Sequence, residues 1–279
     1  MDTFGTYRNI EEYYNAIHNS NELKLSNPAT SNRANNYTKV GFLHIGKCGG
    51  TEVLRHLKPD VKEIHWEENP SRWQNYDTKW IIWVRNPFAR FVSAFWYSYN
   101  GINIPCDNMI SCPHAPIQTA EKNGYPSHTD LQKRGFKIFS SPNELAESLY
   151  SSDKSLSELA QSMLVNGGEH LPCGLSYYLD DGNWIENNNK ILFVGLCENM
   201  EEDIDKMKNK LGNEICWVDK KVKYTRKAQV GNKYLSAKAV SNLKKFWRNT
   251  EMKTVYKLYT NNYIDFDTFL DYNTYKYIL

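Results

Sequence analysis

The chain is short of several things, and each shortage narrows the reading. Its 279 residues carry a formal net charge of only +2, so bulk charge gives no reason to expect a nucleic-acid binder. Any basic residues that matter are local. No apolar stretch approaches the roughly 20 residues that a membrane-crossing helix needs. Residues 1–37 are polar and Asn-rich and have no apolar h-region of the signal-peptide kind. The six cysteines, at 48, 106, 112, 173, 197 and 216, form no C-x-x-C pair. Cys106 and Cys112, with His114 close by, leave a zinc site open but match no standard zinc spacing, and a local disulfide or two free thiols fit the spacing better. Asn36-Tyr37-Thr38 is a lone glycosylation sequon and weak evidence of secretion. The hydrophobic share of 41% and charged share of 24% are ordinary for a globular domain.

What is present is a set of short apolar runs separated by helical patterns. Val40 to Ile45, Val61 to His65, Trp80 to Val84 and Ile191 to Leu196 read as strands, and Ile215 to Val218 as a last short one. Trp80 to Val84 has no polar alternation, as expected of a central parallel strand. Helices are expected over Thr51 to Leu57, Phe88 to Tyr99, residues 142–165, Glu198 to Leu211, and twice between Leu235 and Tyr259, with one short helix near Ile10 to Ile17. Asn86-Pro87 suits a helix start, since Asn caps and Pro fits the first turn. Gly101 to Gly135 reads as a long loop of the kind that shapes a substrate cleft. Lys220 to Lys233 is a basic loop. Together these predict an α/β protein: a P-loop-like, mainly parallel central sheet with helices on both faces. Residues 1–37 form an extension and residues 38–279 a single domain.

Gly46-Lys47-Cys48-Gly49-Gly50-Thr51, between the first strand and first helix, is the most informative stretch. Glycines let backbone N–H groups approach an oxyanion, and the helix start adds donors and partial positive charge. Lys47 adds a full charge and Thr51 a hydroxyl. Gly41-x4-Gly46-Lys47-Cys48 nearly fits the Walker A pattern. Two features count against an ATPase: the four intervening residues are strand-like, and Cys48 replaces the hydroxyl that holds Mg²⁺. The apolar run Trp80 to Val84 also ends in Arg85, where a Walker-type enzyme places a metal-binding Asp. Lys47 and Arg85 both follow strands, at the sheet edge where ligands bind. Ser93 lies about two turns into the next helix. Two anion sites without a metal ligand suggest a nucleotide phosphorylated at two places.

These two stretches carry a family resemblance. FLHIGKCGGT (42–51) resembles the FxHIPKTGGT motif of sulfotransferases that use 3′-phosphoadenosine 5′-phosphosulfate (PAPS). VRNPFARFVSAFWY (84–97) resembles their VRDPxxRFxSxYY motif, in the same order and separation. FVGLCENMEEDIDKMKNKLG (193–212) resembles their later FVGLTE segment. The nearest type is the carbohydrate O-sulfotransferase, such as uronyl and heparan sulfate 2-O-type enzymes. The resemblance implies PAPS as sulfate donor, no metal, and an acceptor hydroxyl, by default on a carbohydrate. It implies that Lys47, Cys48, Gly49, Gly50 and Thr51 hold the 5′-phosphosulfate, that Arg85 and Ser93 hold the 3′-phosphate, and that Lys223 and Arg226 of the basic loop close over the nucleotide. Gly46, Cys48 and Asn86 depart from the pattern, standing where the family has Pro, Thr and Asp.

Lys47 is the expected stabiliser of the leaving phosphate. His65, ending the second short strand, is the expected base, with Glu67 or Glu68 as runner-up. His44 reads as a core or supporting residue. His170 and His128 either line an acceptor cleft or sit exposed in loops. Two other functions stay open: a P-loop nucleotide kinase or phosphotransferase, and a non-catalytic nucleotide- or glycan-binding relative. Placement is cytoplasmic if the chain is full length, or in the Golgi lumen if an N-terminal anchor has been removed.

Overall fold

In the computed structural model, the apolar runs become strands of one parallel sheet. The structure describes residues 40–57, 61–64, 78–103, 129–167, 170–187, 189–212 and 231–275. Strands β1 (Val40–Leu43), β2 (Lys62–Ile64), β3 (Lys79–Val84) and β4 (Ile191–Leu196) lie in the order β2-β1-β3-β4, and every neighbouring pair is parallel. In chain order the helices are α1 (Gly50–His56), α2 (Pro87–Asn103), α3 (Thr129–Ile138), α4 (Pro142–Ser148), α5 (Lys154–Asn166), α6 (Leu175–Tyr178) and α7 (Asn183–Asn187). They continue with α8 (Met200–Leu211), α9 (Ala237–Phe246), α10 (Glu251–Thr260) and α11 (Phe266–Tyr272).

The sheet is covered on both faces, which is why β3 reads as unbroken apolar sequence. Trp80, Ile82 and Val84 enter a cluster with Leu175 and Tyr178 of α6 and with Val255 and Leu258 of α10. Ile81 and Trp83 point the other way, against Val53 of α1 and Ile204 and Met207 of α8. Both tryptophans lie across the neighbouring strand. Trp80 faces Gly41 of β1 and Trp83 faces Gly195 of β4 in register, and a methyl on either glycine would collide with the indole. Burying each such ring is worth about 1.5–3 kcal/mol. A third cluster packs the aromatic face of α2 (Phe88, Phe91, Phe95) against α3, α4, α5 and α9. Among the described residues, no helix is long and apolar enough to cross a membrane.

Several boundaries differ from the sequence reading. β1 stops at Leu43 because the chain turns at once: Ile45 N donates to Leu43 O at 3.1 Å and Cys48 N to Ile45 O at 3.2 Å. His44 is therefore past the strand, not inside it. The expected single helix over 142–165 is two, α4 and α5, each with its own cap: Ser141 accepts from Glu144 N and Asp153 from Leu156 N. The loop expected through Gly135 is helical from Thr129, and Gly135 sits inside α3 against Met163. The helix expected from Glu198 starts at Met200, after a short 3-10 turn, Cys197–Asn199. The two helices expected between Leu235 and Tyr259 form as α9 and α10, and a third, α11, follows them. Asp265 caps the third, α11, by accepting from Thr268 N at 2.8 Å. The expected helix at Ile10 to Ile17, the strand at Ile215 to Val218 and the Cys106/Cys112/His114 stretch lie outside the described residues.

Candidate functional site

Parallel strands bring their carboxy-terminal ends to one edge, and a ligand crevice opens where the connections leave in opposite directions. In the order β2-β1-β3-β4 that point is between β1 and β3. The segment 44–49 follows β1, Arg85 follows β3, and Cys197–Glu198 follows β4. The edge is joined by hydrogen bonds. Arg85 Nη1 donates to Lys47 O at 3.1 Å, and Asn86 N donates to Glu198 Oε1 at 3.0 Å. The two motifs singled out in the sequence thus meet directly at the switch point.

The turn is held in an uncommon conformation. Lys47 has φ 67°, a left-handed geometry that costs a side-chain-bearing residue roughly 1–3 kcal/mol. Gly49 follows at φ 84° and precedes α1 without any side-chain cap. Gly50 is dictated by a neighbour: a methyl there would strike the His44 imidazole. Gly46 lies against the His170 ring in the same way.

Lys47 places Nζ 3.9 Å from the centre of the Tyr97 ring, a cation–π contact. Tyr97 in turn packs on His170, with ring centroids 5.0 Å apart. Ser93 is half-buried on α2, one turn before Tyr97 and so on the same face of that helix. Trp96, next to Tyr97, donates from Nε1 to Asn232 O at 2.9 Å. The end of the basic loop is thereby fastened to α2.

The electrostatic balance is positive. Among the described residues, neither Arg85 nor Arg90 pairs with a carboxylate. Arg90 is 2% exposed and donates from Nη1 to His170 O at 2.9 Å and Cys173 O at 3.1 Å, while its Nε has no partner. Burying a guanidinium against carbonyls alone is unfavourable unless an anion shares the region. Glu198, after β4, is engaged by Asn86 N at 3.0 Å and by the Tyr272 hydroxyl at 2.9 Å. Both arginines act on Cys48, although burial dominates and pushes its thiol well up.

The sequence-predicted residues divide accordingly. Lys47, Gly49, Gly50, Arg85 and the Ser93 face of α2 come together. Thr51 is exposed on the first turn of α1. Cys48 points elsewhere: its side chain is 1% exposed in the core, and its N–H is bonded to Ile45 O. His65, Lys223 and Arg226, with Glu67 and Glu68, lie outside the described residues. Sequence reasoning passed over Arg90, Tyr97 and the pairing of His44 with Glu63. None of these three had a local signal in the sequence. Asn86 caps α2 as expected, accepting from Phe88 N at 3.0 Å and Ala89 N at 3.3 Å. Its Nδ2 also donates to Asp271 O and Thr274 O, which an Asp cannot do. Comparison with protein-family models, with curated proteins and with solved structures found no match.

Proposed function

We propose that the protein is a PAPS-dependent sulfotransferase with a P-loop-like sheet, moving a sulfuryl group to an acceptor hydroxyl, by default on a carbohydrate. The observation that carries this reading is the gathering of Lys47 with Arg85 and Arg90 at the β1/β3 switch point, where neither arginine meets a carboxylate among the described residues. The resemblance of both motifs to the sulfotransferase pattern supplies the identity of the anion. In this reading Lys47, with the N–H groups of Gly49, Gly50 and Thr51, grips the 5′-phosphosulfate. Lys47 stabilises the charge that develops on the departing phosphate oxygen, a contribution of the oxyanion-hole kind. Arg85 and Ser93 take the 3′-phosphate, and Lys223 and Arg226 cover the nucleotide. Sulfuryl transfer is an in-line displacement like phosphoryl transfer, and the transferred group carries less charge, so no metal is required. The acceptor also needs a base, for which His65 is the residue the motif order suggests.

Thermal shift tests the nucleotide. At 100 times its Kd, a bound ligand adds about 2.7 kcal/mol. 3′-Phosphoadenosine 5′-phosphate should stabilise the protein without metal, and ATP with Mg²⁺ should do no better. Stabilisation by ATP that depends on Mg²⁺ would instead favour a phosphotransferase. Turnover of labelled PAPS with a panel of hydroxyl acceptors separates an enzyme from a binding protein.

A further inference from the structure

A second imidazole stands at the same sheet edge, and it arrives with its own carboxylate. His44 is the first residue past β1, and Glu63 lies in β2 opposite Phe42. His44 Nδ1 and Glu63 Oε1 are 2.6 Å apart. The His44 side chain is 12% exposed and that of Glu63 39%. An ionised carboxylate accepts from Nδ1–H, and that fixes the tautomer: the proton-accepting nitrogen is Nε2. The Nε2–Cδ2 edge of the ring lies over Gly50, where any side chain would displace it. The imidazole therefore sits between the carboxylate that orients it and the turn that carries Lys47. This is the base-plus-orienter arrangement of acyl- and group-transfer enzymes.

We infer that His44, oriented by Glu63, is the proton acceptor for the incoming hydroxyl in the sulfuryl transfer proposed above, and the inference rests on that reading. The acceptor O–H bond breaks as its oxygen bonds sulfur. The proton goes to His44 Nε2, and the sulfur–oxygen bond to the 5′-phosphate breaks. The products are a sulfate ester and 3′-phosphoadenosine 5′-phosphate, with Glu63 stabilising the imidazolium. Burial holds the His44 imidazole below its ordinary value, with Glu63 opposing and Lys47 reinforcing that shift. That shift favours the neutral ring that a base requires. The charged groups acting on it are Glu63 from β2 and Lys47 from the turn. On α1, Glu52 is taken up by Arg55 at 2.8 Å and by His56.

The test compares pH–rate profiles for PAPS turnover in the wild type, His44→Gln, Glu63→Gln and His65→Ala. His44→Gln should lower turnover about 10²-fold or more and abolish the acid limb. Glu63→Gln alters a half-exposed residue and should leave the fold intact. It should slow turnover about 10-fold, in line with loss of an orienting partner, and move the acid limb to lower pH, because the groups raising the imidazole are removed. A carboxylate with a purely structural role would not move that limb. The acid limb should persist in His65→Ala. An unchanged limb in both His44→Gln and Glu63→Gln, or a limb lost only in His65→Ala, overturns the inference. Retained stabilisation by 3′-phosphoadenosine 5′-phosphate in every variant shows that the nucleotide reading survives such a result. A wild type that this nucleotide does not stabilise, or that never turns PAPS over, overturns that reading and the dyad with it.

Discussion

Two regions of this molecule treat their polar groups in opposite ways. Around α4, α5 and α9 the backbone donors at the helix starts are closed by nearby side chains. Ser141 caps α4 while Glu144 reaches back to Ser140 N at 2.8 Å. Ser236 caps α9 at 3.1 Å and is itself held by Asn143 and Glu147. Asn242 donates to the carbonyls of Ala146 and Glu147. At the β1/β3 edge, by contrast, α1 has no side-chain cap, Lys47 sits at positive φ, and two arginines spend donors on carbonyls. The first region is built for stability. The second holds a strained turn beside arginines that meet no carboxylate among the described residues, which is why it is the candidate site.

If that contrast is right, substitutions in the two regions should fail in different assays. The largest effect is expected from Lys47→Ala. PAPS turnover should fall about 10²–10³-fold, the usual loss for one charge-stabilising donor, while the melting temperature barely moves. A large loss of stability with turnover intact would invert the contrast. Next comes Glu251→Ala. The Glu251 carboxylate is 4% exposed and accepts from Leu175 N, Ser176 N and Ser176 Oγ. Leaving those donors unpaired should cost about 3 kcal/mol, measured by denaturant unfolding, with nucleotide affinity unchanged. Asn86→Asp lies between the regions. It keeps the cap but sets a carboxylate against the Asp271 and Thr274 carbonyls, at a cost of about 2 kcal/mol and with a weaker response to the nucleotide. Ser141→Ala should cost about 1 kcal/mol, the typical loss of an N-cap, and nothing in turnover.

The smallest effect is a pH dependence of stability. Burial holds the His44 and His56 imidazoles below their ordinary value of 6.5. The unfolded chain therefore takes up protons first as the solution is acidified. This contribution to stability is complete above about pH 6.5 and declines as the pH falls below it. Thermal melts of His44→Gln should show a shallower decline than the wild type.

The sheet was readable in the sequence because a buried parallel strand announces itself: Trp80 to Val84 can be little else. The Lys47 turn and Arg85 were readable because each directly follows such a strand. The split between α4 and α5 was hidden because two cap residues, Ser141 and Asp153, looked like ordinary polar positions in one helical pattern. The site's supporting residues were hidden for a different reason. Arg90 meets His170, Glu198 meets Asn86, and His44 meets Glu63 only after the chain has folded, and no local pattern encodes those meetings. Gly41 is a further case. It completes a Walker-like spacing, yet its lack of a side chain serves the indole of Trp80 on the next strand.

The double use of Asn86 has a consequence for how the protein is made. Its Oδ1 starts the helix that carries Ser93 and Tyr97, and its amide hydrogens go to carbonyls at positions 271 and 274. Glu198, which holds the Asn86 N–H, is likewise held by Tyr272. Synthesis runs from the amino terminus at about 5–20 residues per second, so the Gly46–Thr51 turn leaves the ribosome long before its last support does. Until residue 274 is free to dock, Asn86 and Glu198 lack the bonds that α11 and the turn after it supply. A nascent chain stalled short of α11 should then lack these holds on Asn86 and Glu198.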